Sequence, residues 1–287
     1  MLNIKNIEER LLLYPEPNEV KEIREKILTS FSNLEFQEEP HKYFLHKKDG
    51  SIIELPSVSG VTHKYANEFD EIRISEEYAL KHGGTPEYWR DQWKFKNNCA
   101  TLTGTLVHEF GESLAWIRSG HPENICDSCK LKYNREKGWL IPTREKEKSV
   151  VSFWDDMPEN YHVVLPEAKV YNLTSVHNPY AGTFDLLMYY ENKEQPEKSG
   201  CVLMDYKTNE KLYNEYNQSV GCCLKPNFDD LIDCPYNMYI LQLNLYQLAL
   251  ENIGIKILGR RIIWLKPDAT YELISVPNII DRIKKEF

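Results

Sequence analysis

Cys201-Val202-Leu203-Met204-Asp205-Tyr206-Lys207-Thr208 is an apolar run that carries a carboxylate and a lysine two residues apart. Side chains of a β-strand alternate between faces, so Asp205 and Lys207 share one side, roughly 6.5 Å apart along the strand. Val202, Met204 and Tyr206 take the other. A strand this apolar keeps two charges on one face only when they are paired or bind an ion. The same acid-x-Lys pattern occurs at Glu19-Val20-Lys21. That copy lies in the alternating-charge stretch from Asn18 to Leu28, which reads as a solvated helix. The pattern therefore means little without its neighbourhood.

Working outward, the chain turns to strands at Val163–Tyr171, Gly182–Tyr190 and Cys201–Lys207, with a polar turn between the last two. Residues 208–233 form an excursion, 235–252 a strong helix, and Arg260–Leu265 a further strand. Upstream, residues 7–30 read as helix. Lys42–Leu45 and Ser51–Leu55 read as a hairpin around Lys48-Asp49-Gly50. Residues 75–96 are partly helical, broken at Gly83-Gly84 and Pro86. Residues 100–118 form a helix with Leu106, Phe110 and Leu114 on one stripe, ended by Gly120-His121-Pro122. Residues 119–160 read as polar and irregular. Adjacent strands suggest antiparallel hairpins. The expected fold is mixed α/β: a central sheet flanked by helices over residues 100–287, and an N-terminal helical and hairpin extension over residues 1–99 packed on it.

The 287 residues are 41% hydrophobic, enough for one sizeable core. No apolar run approaches the ~20 residues of a membrane span. The first residues, MLNIKNIEERLLLY, lack a signal-peptide layout, so a soluble intracellular protein is expected. Seven cysteines then read as reduced thiols. Cys126-Asp127-Ser128-Cys129 has metal-ligand spacing but no second pair. The net charge of −9 argues against non-specific coating of nucleic acid but allows a local basic groove. The segment from Lys130 to Lys148, with Arg135, Lys137, Arg144 and Lys146 among its cations, reads equally as a solvated linker or a phosphate-binding flap.

Three features point toward Asp205 and Lys207. In Ala181-Gly182-Thr183-Phe184-Asp185-Leu186, Asp185 is a carboxylate inside an apolar strand, and Gly182 admits a close approach. If this strand pairs with 201–207, Asp185 and Asp205 face each other. Two carboxylates ~4 Å apart repel by about 4 kcal/mol at an effective dielectric near 20. A proton or a cation relieves that. Asp185 also fits a hydrogen-bonded turn residue, or a buried ion pair with Lys207. His108 lies in Gly104-Thr105-Leu106-Val107-His108, either as a ligand or as a surface partner of Glu112 one turn on. Gln242 and Tyr246 share a face of the 235–252 helix, as phosphate contacts or as an ordinary polar boundary.

In this order His108, Gly182 to Asp185, Asp205 to Lys207 and Gln242 to Tyr246 resemble the RecB-like branch of the PD-(D/E)xK nucleases, over about residues 100–265. Glu167 resembles the glutamate that often precedes the Gly-x-x-Asp strand. Leu55-Pro56-Ser57-Val58-Ser59 is more loosely similar to the lead-in of phage-type and mitochondrial relatives. Phe184 stands where the family name has proline. No cysteine follows Cys234, so the iron–sulfur cluster of some relatives is not expected. The resemblance implies a restriction-endonuclease-like core. It also implies one or two Mg²⁺ or Mn²⁺ ions on His108, Asp185, Asp205 and the Tyr206 carbonyl, with Glu167 holding a metal-bound water. Lys207 would act electrostatically, and Gln242 and Tyr246 would position the DNA backbone. The implied function is a metal-dependent deoxyribonuclease, an exonuclease by family likeness, acting on single- or double-stranded DNA in recombination, repair or processing. An endonuclease of this fold, or a nucleic-acid-binding protein with a decayed site, are the alternatives.

Overall fold

A computed structural model describes residues 14–134, 138–174 and 178–287. The chain opens with α1 (Asn18–Ser30), which buries Val20 and Ile27 and leaves Glu19 and Lys21 exposed. Residues 7–13 of the expected first helix, and Arg135 and Lys137 of the basic segment, lie outside the described residues. A small antiparallel sheet follows: β1 (Leu34–Gln37), β2 (Lys42–His46) and β3 (Ile52–Leu55). The hairpin turn forms where expected, with Gly50 at a positive φ of 84°. Next come α2 (Val58–His63), α3 (Glu71–His82) and α4 (Pro86–Arg118).

Here the structure departs from the sequence reading. Pro86 does not break a helix but begins one. Thr85 caps α4 by accepting the Tyr88 N–H (3.2 Å), and a first-turn proline loses no helical hydrogen bond. The expected 100–118 helix is the C-terminal half of this 33-residue element.

After two short strands, β4 (Tyr133–Asn134) and β5 (Trp139–Leu140), comes α5 (Glu145–Asp156), inside a region read as irregular. Its charged first turn hides an apolar stripe of Val150, Phe153 and Trp154, all buried. Buried Glu147 accepts from Lys132, Arg144 and the Thr143 N–H, each at 2.7 Å. Lys148 pairs with Glu145 (2.6 Å) and Lys130 with Asp127 (2.5 Å). The described cations of the basic segment thus serve structure, which favours the linker reading over the flap.

The core sheet comprises β6 (Tyr161–Asn172), β7 (Tyr180–Tyr190), β8 (Gly200–Lys207), β9 (Ile257–Leu265) and β10 (Tyr271–Ser275). Its spatial order is β10-β9-β8-β7-β6. β6, β7 and β8 are antiparallel neighbours, as are β9 and β10. β8 and β9 are parallel, while the sequence-adjacent β6, β7 and β8 form the antiparallel hairpins expected of them. Between β8 and β9 run α6 (Glu215–Val220) and α7 (Pro235–Asn252), and α7 carries the chain back across the sheet. The chain ends in α8 (Ile280–Glu286).

One apolar layer packs α7, with Leu241, Leu245 and Leu248, onto a sheet face. The other packs α4 and α5 onto the opposite face through Phe110, Leu114 and Phe153. α7 is apolar nearly all round because it is covered on both sides, by the sheet and by α2 and α8. The molecule is thus mixed α/β, with a mixed five-stranded sheet between helices. Among the described residues no helix is long and apolar enough to cross a membrane.

Candidate metal centre

The site forms where the β7–β8 ladder stops. The last registered pair is Leu186 with Met204, and the next residues outward are Asp185 and Asp205. There the backbone ladder gives way to a side chain: Asp185 Oδ2 accepts the Tyr206 N–H at 2.8 Å. The same oxygen lies 3.2 Å from His108 Nδ1, which α4 delivers from across the sheet. His108 therefore partners Asp185 and not Glu112. Glu112 instead accepts from Trp116 Nε1 (3.2 Å) and from the Cys126 thiol (3.1 Å).

On the other side of β7, the β6 pairs Pro166–Leu186 and Ala168–Phe184 bracket Glu167 opposite Asp185. Glu167 has φ of 44°, a left-handed backbone in mid-strand. For a residue with a side chain that conformation costs on the order of 1–3 kcal/mol. Ligand atoms of His108, Glu167 and Asp185 all lie within 4.8 Å of one another. Ligands about 2.1–2.5 Å from a shared centre span that separation, and carboxylate oxygens with an imidazole suit Mg²⁺ or Mn²⁺. The donor set fits such an ion.

Asp205 was expected among the ligands, with Glu167 holding a metal-bound water; the clustered group contains Glu167, and Asp205 lies beside it, paired with Lys207. Asp205 is fully buried, and its Oδ2 contacts the Lys207 ammonium. Among the described residues no well-aligned donor completes either of its oxygens. The buried ion pair is therefore Lys207 with Asp205, not with Asp185.

The charges explain one another. Burial and the Asp185 charge push Asp205 up to about 6, against the pull of Lys207. Burial, together with Asp185 and Glu112, holds Glu167 well above the usual carboxylate range. Burial opposes the charge on Asp185, but His108 and Lys207 win and keep it low. Burial likewise opposes the charge of Lys207, yet Asp205 and Asp185 raise its pKa. Three acids crowd here with fewer cations than charges, which is the electrostatic condition a divalent ion relieves.

α7 presents Tyr239, Gln242 and Tyr246 on one face toward the site. The Lys207 ammonium sits 4.3 Å from the Tyr239 ring centroid, and the Tyr239 hydroxyl donates to Asn209 Oδ1 at 2.7 Å. Sequence reading missed Tyr239, although its place one turn before Gln242 was a usable signal. Gln242 Nε2 donates to the Tyr246 hydroxyl at 3.3 Å. The Tyr246 ring is buried and lies on Gly182, where an added Cβ would stand 2.7 Å from Tyr246 Cε1 and 2.9 Å from Val58 Cγ2. Gly182 was expected to admit another backbone or a ligand; the close approach is instead by the Tyr246 ring and the Val58 side chain. Gly111 does the same for Tyr206, whose Cε2 would be 2.7 Å from an added Cβ. The Tyr206 ring stays on the α4 face while its N–H serves Asp185.

His108, Glu167, Asp185, Gln242 and Tyr246 open onto one cleft of about 750 Å³. Phe36, His41 and Tyr43 of the β1–β2 hairpin line it as well. No family model matches the chain, and no curated protein matches it.

Proposed function

We propose that the chain is a divalent-metal-dependent phosphodiesterase of nucleic acid, a nuclease of the PD-(D/E)xK kind, with exonuclease action as the preferred form. One observation carries the reading: a His–Glu–Asp ligand group from three separate elements lies at the end of the β7–β8 ladder beside a buried Asp–Lys pair. Magnesium or manganese would be held by His108, Glu167 and Asp185, with Asp205 and the Tyr206 carbonyl adjoining. Bound there, the ion would polarise a phosphodiester and lower the pKa of a coordinated water. Lys207 is kept charged by Asp205 and Asp185, so it stabilises developing negative charge and does not act as a base. Asp205 and the Tyr239 ring hold that ammonium in place. Gln242 offers its amide to the substrate backbone, and the Tyr246 hydroxyl, accepting from that amide, positions it.

The test is digestion of 5′- and 3′-labelled single- and double-stranded DNA by purified protein with Mg²⁺, Mn²⁺ or EDTA. Cleavage is expected with metal and not with EDTA. It should vanish in Asp185→Ala, Asp205→Ala and Lys207→Ala proteins whose circular dichroism matches the wild type. Metal-dependent cleavage surviving in the folded Lys207→Ala protein would refute the assignment. Metal binding without any cleavage would favour a nucleic-acid-binding role.

A further inference from the structure

We propose that the N-terminal hairpin is a stacking wall for an unpaired nucleobase, so that the cleft takes single-stranded nucleic acid in preference to duplex; this rests on the nucleic-acid reading of the same cleft. Three rings form the wall. Phe36 on β1 and Tyr43 on β2 are registered partners across the ladder. Their centroids are 4.8 Å apart, with planes inclined by 32°. His41, in the turn between the strands, stands edge-on to Phe36 at 4.9 Å. All three line the cleft that holds the candidate metal group.

The wall is tied to that group from both sides. The Tyr43 hydroxyl bonds Thr183 Oγ1 at 3.0 Å, two residues before Asp185. Lys169, two residues after Glu167, donates from Nζ to the Leu34 carbonyl at 2.8 Å. Phe36 is only partly buried and His41 is exposed, so ring surface remains for a ligand. His41 has φ of 61°, a left-handed turn conformation that glycine adopts without penalty.

Charge decides between duplex and single strand. Duplex binding rests on lysine and arginine contacts to phosphates. Among its described lining residues this cleft has one lysine, Lys169, against four carboxylates: Glu109, Glu112, Glu167 and Asp185. Lys169 is already engaged with a backbone carbonyl. Phosphate attraction is therefore weak along the cleft, and grip must come from bases. A duplex offers such a cleft only its phosphates, whereas a single strand also stacks its unpaired bases on aromatic rings, without sequence preference.

The experiment measures binding by fluorescence anisotropy in EDTA, with the full chain and labelled 20-mers. The probes are single-stranded oligothymidylate, a blunt duplex, and a single strand of abasic residues with the same charge. The single strand should bind at least tenfold tighter than the duplex or the abasic strand. Phe36→Ala should weaken single-strand binding about tenfold, Phe36→Tyr should restore it, and His41→Gly should weaken it without straining the turn. Thermal melting of each variant checks the hairpin. Equal binding of the abasic strand, or unchanged binding by folded Phe36→Ala and His41→Gly, would overturn the stacking wall. So would absence of binding to every probe. Base-dependent binding without cleavage would sink the nuclease reading alone, and cleavage without base-dependent binding would sink the wall alone.

Discussion

Replacing Glu167 with Gln should make the metal-free protein more stable at about pH 8. Its carboxylate lies within 4.8 Å of the ligand atoms of Asp185 and His108. Two unit charges 4.8 Å apart at an effective dielectric of 20 interact by about 3–4 kcal/mol. His108, 3.2 Å from Asp185, and nearby Lys207 offset part of this, which leaves ~1–2 kcal/mol of net repulsion to remove. The left-handed backbone at Glu167 persists in the Gln protein, so its strain cancels from the comparison. At about 2–4 °C per kcal/mol, Tm should rise by roughly 2–8 °C in EDTA.

The sign follows from linkage. The folded pKa of Glu167 is raised above its ordinary 4.5, so its cost is absent below that value and grows as pH climbs through the folded pKa. The advantage of Gln should therefore shrink toward about pH 4.5. Mn²⁺ should act oppositely: at a hundredfold excess over its dissociation constant it stabilises the wild type by about 2.7 kcal/mol, and the Gln protein by much less. Calorimetry at two pH values, with EDTA or Mn²⁺, reads all three effects. A Gln protein that melts lower at about pH 8 in EDTA, or that keeps the full Mn²⁺ gain, would refute the reasoning.

Gly182→Ala should cost about 1–3 kcal/mol, because the new methyl collides with the Tyr246 ring and Val58; chemical denaturation would register it. Gly111→Ala should cost a similar amount by pushing the Tyr206 ring, and should weaken Mn²⁺ binding in calorimetric titration because Tyr206 N–H fixes Asp185. Glu147→Gln should destabilise by about 2–4 kcal/mol, since Lys132 and Arg144 lose a buried partner. Burial opposes ionisation of Glu147, but these cations hold its pKa low. Its contribution is therefore present above about 4.5 and lost as pH falls through the folded value, which acid titration of the wild type and the Gln protein would separate.

Much of the frame was legible locally. The run ending in Lys207 is a strand, as its apolar alternation requires, and the helix at 235–252 has the bounds its composition suggested. The need for glycine at 182 was visible as well. These features depend on residues a few positions apart, and period-2 or period-3.6 patterning reports them directly. Pro86 misled because a proline reads alike as a breaker and as a first-turn residue; only the Thr85 cap distinguishes them. The parallel pairing of β8 with β9 follows from the crossover through α7.

The chain's own order of residues thus determined which segments would be strand or helix and marked His108, Asp185, Asp205, Lys207 and Gln242 as chemically unusual. Tertiary packing decided how they group. It set Glu167 in a left-handed kink opposite Asp185 and turned Asp205 to Lys207. It also brought Phe36, His41 and Tyr43 to the cleft that His108, Asp185 and Gln242 line. Periodicity assigns a side chain to a face, but distances between carboxylates on different strands follow from register and sheet twist, which arise only when the layers close on one another.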